Sequence, residues 1–284
     1  YITITGAVRK PCTIKVPVGI TYAEAIEIAG GLKIKYAAGI DGGPMMGKVI
    51  TDFGTLVNKI SGGLIVLPRD HPLIVKKALG RPAFSRIGRS VCDQCSFCTE
   101  LCPRYLLGHS IQPHRAMRSL LFSGGGRKIH SEYALLCCEC SLCSLYSCPE
   151  GLSPRDVCVA AKSDLREMKV GFKNSALNSG RAAAAHPVRE ERKAPVSKLI
   201  RRLGLAGYNA DAPYLEHEYR PGRVRIQLSQ HTGVPCSATV SPGASVKKGD
   251  VVGDLPADKL GCPVHASIDG KVSKVNDKYV EIER

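Results

Sequence analysis

"VCDQCSFCTELCPRYLLGH", Val91 to His109, decides how this chain is read: Cys92, Cys95 and Cys98 follow one another at three-residue steps, and Cys102 and Pro103 complete the run. The 284 residues include 13 cysteines, and a second run, "LLCCECSLCSLYSCPEGLSP", repeats the rhythm as Cys137, Cys140, Cys143 and Cys148 before Pro149. Three thiolates spaced in this way can wrap one corner of a cubane, offering soft sulfur to three irons while the fourth iron is held from elsewhere. Zinc prefers two Cys-x-x-Cys pairs on separate knuckles, and a third cysteine three residues on fits its tetrahedron badly. The two runs therefore predict two [4Fe–4S] clusters. In two-cluster proteins of this pattern the fourth cysteine of each run serves the other cluster. That assigns Cys92, Cys95, Cys98 and Cys148 to one cluster and Cys137, Cys140, Cys143 and Cys102 to the second. Four residues separate Cys143 from Cys148, against three between Cys98 and Cys102. This makes Cys148 less constrained than Cys102, and Cys138 stands as an alternative to Cys137. Cys12, Cys158, Cys236 and Cys262 lie apart from the runs and are expected to be small buried residues.

Composition sets the surroundings. Aromatic residues make up 5% of the chain and tryptophan is absent, so the cores must be aliphatic. No apolar run reaches the roughly 18 residues of a membrane span, and no secretory leader is seen, so a cytoplasmic, reducing location is expected. There, clustered cysteines serve metal or redox chemistry rather than disulfides. The formal charge of +15 raises the question of nucleic acid. Lysine and arginine are spread through every segment with no recognition helix or aromatic strand beside them, so no nucleic-acid partner is expected; the basic face suits an acidic protein or a phosphate-bearing cofactor.

The chain divides into a multidomain α+β arrangement. Residues 1–75 read as strand, turn, strand and short helix, with a capping box at Thr21 and Glu24, a stop at Gly30-Gly31 and a closing buried strand at Leu64 to Pro68. Strand pairs around one helix suggest a β-grasp unit, with "GGPMMG" (Gly42 to Gly47) in a connecting loop. Residues 88–170 hold both cysteine runs. Between the runs Leu106, Leu107, Ile111, Met117, Leu120 and Leu121 have helical spacing, and after them Ser153 and Pro154 open a helix whose stripe is Val157, Ala161, Leu165 and Met168. Residues 171–212 are a charged, alanine-rich linker ending in the short basic helix "SKLIRRLGL". Residues 213–284 turn to short strands, with Val224, Ile226 and Leu228 alternating, and predict an all-β barrel or sandwich.

No further site stands out. His109, His114, His231 and His265 lack ligand spacing, and there is no dinucleotide fingerprint, Ser/His/Asp set or carboxylate pair, so no catalytic residue is assigned. Asp258-Lys259 follows Gly249-Asp250 at the distance at which lipoyl domains present their modified lysine, but Pro256 and "LGCPVHAS" break that context, and Lys259 is expected to be an unmodified surface residue.

"SVCDQCSFCTELCPRYLLGH", "CCECSLCSLYSCPEGLSP", "VSKLIRRLGL" and "LGCPVHASIDGKVS" resemble the RnfC-like family, on its branch of cobalamin reductases from propanediol-utilising bacterial microcompartments. The resemblance covers nearly the whole chain. It implies a β-grasp domain of the soluble-ligand-binding (SLBB) type, an α-helical dicluster ferredoxin domain and a barrel-sandwich hybrid domain. The activity it implies is NADH-driven reduction of cobalamin through FMN and two [4Fe–4S] clusters, inside a microcompartment whose shell proteins and a corrinoid adenosyltransferase would be partners. An RnfC-like subunit of a membrane redox complex is the alternative within redox chemistry; a scaffold with structural clusters is the alternative outside it. The family's flavin domain would precede Tyr1, so the chain is expected to be a fragment with no NADH or FMN site of its own. No Asp-x-His-x-x-Gly motif is present to ligate cobalt, so a corrinoid would be a passing substrate.

Overall fold

The computed structural model describes residues 1–178, 180, 183–216 and 218–284 as a mixed helix and sheet protein. Residues 179, 181 and 182 of the expected linker lie outside the described residues. The chain forms two compact units, one made of Tyr1–Ile74 together with Tyr208–Arg284 and the other of Val75–Gly207.

The first unit begins with β1 (Ile2–Gly6), whose alternation buries Ile2 and Ile4, and β2 (Cys12–Ile14). Helix α1 (Tyr22–Ile28) starts at the expected capping box: Glu24 N donates to Thr21 Oγ1 at 3.2 Å and Thr21 N donates to Glu24 Oε2 at 2.7 Å. It stops at Gly30 and Gly31, both left-handed. β3 (Ala37–Asp41), β4 (Lys48–Ile50) and β5 (Gly63–Pro68) complete a sheet of order β2-β1-β5-β3-β4 in which β5 runs parallel to β1; Gly42 to Gly47 joins β3 to β4.

The C-terminal strands are β6 (Arg223–Gln227), β7 (Ser237–Ala238), β8 (Ser245–Val246), β9 (Val251–Asp254), β10 (Val264–His265), β11 (Gly270–Val275) and β12 (Tyr279–Glu283). They form two small sheets, β10-β9-β7 and β6-β12-β11-β8. Val224, Ile226 and Ile282 share one core with Ile2, Ile4 and Leu64, so the two ends of the chain bury their apolar faces on each other. Polar contacts fix the register. Arg225 N donates to Gly19 O at 3.0 Å, Lys59 N to Gln230 Oε1 at 2.8 Å, and Ser267 Oγ to Val18 O at 2.6 Å. Gly19 has φ +96°, and a Cβ there would stand 2.7 Å from the Arg225 carbonyl oxygen, so the seam requires glycine.

The second unit is helical. Helix α2 (Pro72–Lys77) contains the junction between the units; α3 (Arg81–Val91), α4 (Phe97–Glu100), α5 (Pro103–Leu106), α6 (Pro113–Arg118), α7 (Gly124–Glu132), α8 (Pro154–Glu167) and α9 (Val196–Arg202) follow. The apolar spacing from Leu106 to Leu121 does not make one helix. Pro103 and Pro113 each restart the chain at a first-turn position, Gly108 turns it at φ +87°, and Leu107 and Leu121 are exposed. In α8, Val157, Ala161 and Leu165 are buried as expected, but Met168 lies past the last turn and is 56% exposed. Ser153 stands at the N-cap without a side-chain capping bond, so Pro154 alone marks the start. His186 of the linker is held against α5, its N donating to Leu106 O at 2.8 Å and its ring 5.7 Å from that of Tyr105. Among the described residues no helix is long and apolar enough to cross a membrane.

Candidate metal centre

The first two cysteine steps of each run are shaped by the same backbone device. Gln94 and Ser96, on either side of Cys95, have φ +57° and +66°; Glu139 and Ser141, on either side of Cys140, have φ +61° and +65°. Left-handed non-glycine residues are uncommon, and such strain gathers where surrounding structure over-determines the backbone. The matched pairs put Cys137 in the place of Cys92 and Cys138 in the place of Asp93, which favours Cys137 over the adjacent thiol.

After the third cysteine the runs part. Between Cys98 and Cys102 the chain makes ordinary tight turns, with Leu101 N bonded to Phe97 O at 3.1 Å and Cys102 N to Thr99 O at 2.9 Å. Residues Cys143–Ser147 instead form one wide π-helical turn closed by Cys148 N on Cys143 O at 3.2 Å. A π turn takes up one more residue than an α turn, and this is where the extra residue goes. Both fourth cysteines then reach the same conformation before their prolines: φ −71°, ψ 120° at Cys102 and φ −73°, ψ 119° at Cys148.

Four cysteines drawn from both runs come together in one place. Cys92, Cys95, Cys98 and Cys148 line one cavity, together with Gln94, His114 and Met117. Cys143 is buried, and the thiols of Cys137, Cys98, Cys102 and Cys140 all act on its charge, in that order, so thiols from both runs surround it. Burial, then the neighbouring thiols, push Cys98 up to about 12 and Cys143 well above the usual thiol range; burial pushes Cys140 up to about 11. Packed thiols of this kind ionise together only against a strong positive charge. N–H groups already point at the sulfurs. Gln94 Nε2 donates to Cys92 Sγ at 3.1 Å, Glu139 N to Cys137 Sγ at 3.4 Å, and Leu152 N to Cys148 Sγ at 3.4 Å. A soft, thiol-dominated donor set with N–H groups aimed at sulfur fits an iron–sulfur cluster.

Other residues near the two sets escaped the sequence reading. Cys158, expected to be an ordinary core residue, is buried on α8 and hydrogen-bonds Cys137, which draws that thiol down to about 7. Ten residues beyond Cys148 on a different element, it gave no spacing signal. His114, expected to be structural, lines the first cavity and pairs its Nδ1 with Thr99 Oγ1 at 2.8 Å; burial holds its pKa below the usual histidine range. Lys162 Nζ donates to Cys137 O at 3.1 Å and to Glu139 Oε1 at 2.5 Å. Cys12 and Cys236 are buried as expected, whereas Cys262 is exposed, because the β9–β10 connection carries it outside the core. Lys259 lies in that same exposed connection. His109, His231 and His265 lie outside the lining of the cavity.

Family models match three successive segments: an SLBB domain at residues 1–49, a 4Fe-4S dicluster domain at 91–153, and an RnfC barrel sandwich hybrid domain at 209–283. Cobalamin reductase PduS of Salmonella typhimurium is 38% identical over 283 residues, and that of Citrobacter freundii 37%. Each alignment covers 100% of this chain and 61% of the relative, so the chain spans about three fifths of their length. A component of the proton-translocating ferredoxin:NAD(+) oxidoreductase complex of Clostridium ljungdahlii is 31% identical over 101 residues, 36% of this chain and 20% of that protein. The resemblance carried by the cysteine runs thus extends from end to end: the chain is similar throughout to cobalamin reductase PduS and has, in order, the SLBB, 4Fe-4S dicluster and RnfC-type segments of RnfC-like proteins.

Proposed function

We propose that the chain is the electron-transfer part of an NADH-dependent cobalamin reductase. The observation that supports this is the cavity lined by Cys92, Cys95, Cys98 and Cys148, from both cysteine runs, in a chain similar over its full length to cobalamin reductases. Cys92, Cys95, Cys98 and Cys148 hold one [4Fe–4S] cluster, and Cys137, Cys140, Cys143 and Cys102 hold the other. When bound, each cluster supplies a one-electron carrier. The protein's own residues enclose it, turn N–H groups toward its sulfur ligands and keep the two sets adjacent. NADH and FMN act outside these residues, and cobalamin is the passing acceptor. Residues 1–75 are the β-grasp part and residues 213–284 the barrel-sandwich hybrid part. A microcompartment location, with shell proteins and a corrinoid adenosyltransferase as partners, belongs to the same reading.

The partial match to a component of a ferredoxin:NAD(+) oxidoreductase complex favours a second reading, in which ferredoxin rather than cobalamin exchanges electrons with the clusters. To separate them, the protein is loaded with iron and sulfide without oxygen, reduced with dithionite, freed of excess reductant and mixed with cob(II)alamin or with oxidised ferredoxin. Reoxidation of the protein with formation of cob(I)alamin is expected. Reoxidation by ferredoxin alone would replace the first reading with the second, and clusters that cannot be reversibly reduced would make them structural.

A further inference from the structure

We propose that Lys76 is an electrostatic positioning residue shared by both cysteine sets, making each easier to reduce. The π-helical turn Cys143–Ser147 is one of two short covalent links between the sets, since Cys143 belongs to one and Cys148, the residue after the turn, to the other; Cys98 to Cys102 is the second. Two cations from outside the cysteine runs bind this turn. Lys76 Nζ, at the end of α2, donates to Ser144 O at 2.5 Å; an Arg202 guanidinium nitrogen, at the end of α9, donates to Cys148 O at 3.0 Å.

Lys76 is half-buried, and among the described residues no carboxylate forms an ion pair with it. This sets it apart from Lys162, whose charge beside Cys137 is met by Glu139 at 2.5 Å. Removing an ammonium from water without an opposing charge is costly. Burial lowers the Lys76 pKa, and Arg202 adds to this; against them act Cys148, then Asp156, then Cys143, so that one thiol from each set favours the ammonium. The Asp156 carboxylate is already paired with Arg155 at 2.7 Å. A cubane held by four thiolates is a net anion, and one electron entering it adds one negative charge while Lys76 keeps its proton. A fixed cation touching the turn between two such sites stabilises the reduced form of both. Arg202 is exposed to solvent, so its contribution has the same sign and is more strongly screened.

This inference rests on the crossed ligand sets proposed above, and the two fail differently: wrong ligand sets appear in the iron content of cysteine variants, a wrong role for Lys76 in reduction potentials at full iron content. The test is potentiometric titration of the loaded protein, followed by electron paramagnetic resonance, for Lys76→Gln and Lys76→Arg. Glutamine can still donate to Ser144 O but carries no charge; arginine carries both. Lys76→Gln is expected to shift both sites against reduction on the order of tenfold, about 59 mV for a one-electron couple, and Lys76→Arg to restore them. Unchanged potentials in Lys76→Gln, a shift at one site alone, or equal shifts in Gln and Arg would overturn the proposal. If Lys76→Gln fails to hold iron, Arg202→Gln decides: a smaller shift of both potentials in the same direction supports the shared field, and no shift overturns it.

Discussion

The loops Cys92–Cys102 and Cys137–Cys148 share a backbone as far as their third cysteine and then differ by one residue, yet each delivers its fourth cysteine at nearly the same φ and ψ. The matched part is the part under strain, with a left-handed residue on each side of the middle cysteine. The unmatched part is a helical turn, which can widen from α to π without moving its ends far. Conformation is therefore shared between the loops where several sulfurs must converge on one point. It is relaxed where the chain only has to deliver the fourth thiol.

The largest test of this equivalence is removal of the metal. Chelation of iron from oxygen-free protein is expected to abolish most of the helical circular dichroism of residues 75–207, because ligation contributes to folding of that unit, while the core shared by residues 1–74 and 208–284 stays resistant to protease. Loss of one set with full retention of the other would break the comparison at its root.

Next comes the crossing itself. Fully loaded protein should carry about eight irons, and Cys102→Ala and Cys148→Ala should each lose about half. The resonance spectrum of Cys148→Ala should match that of Cys95→Ala, and that of Cys102→Ala should match Cys140→Ala. The opposite match would mean that each run serves only itself.

The smallest effect sharpens the likeness of the left-handed pairs. Ser96→Val and Ser141→Val each place a β-branched side chain at a φ near +65°. Each is expected to cost about 1–3 kcal/mol in chemical denaturation of the loaded protein, with Ser→Gly at either site tolerated. Clearly unequal losses would show that the two loops are constrained to different degrees.

The cysteine runs were legible because sulfur ligation imposes its spacing directly on the sequence, and the capping box and strand alternation were legible because they are local. The left-handed residues were not: Gln94 and Glu139 have no preference for that conformation, and only closure of the loop puts them there. The π turn was visible as one extra residue before Cys148 but not as a shape. Helical spacing over Leu106 to Leu121 misled because Pro103 and Pro113 start helices as readily as they end them. Cys158 and Lys76 reach the sets from elements outside the runs, and the common core of Ile4 with Ile226 depends on contacts between opposite ends of the chain, which no local pattern encodes.

That shared core fixes an order of events during synthesis. Strands β1 to β5 are synthesised before residues 75–207, and the residues that complete their core, from β6 to β12, after them. The cysteine unit is thus fully translated before its neighbour's core can close, and at about 5–20 residues per second the 77 residues 208–284 alone take several seconds, in which the cysteines can meet the cell's iron and sulfide supply. A unit inserted within another thus has its whole sequence made before the outer core can be completed.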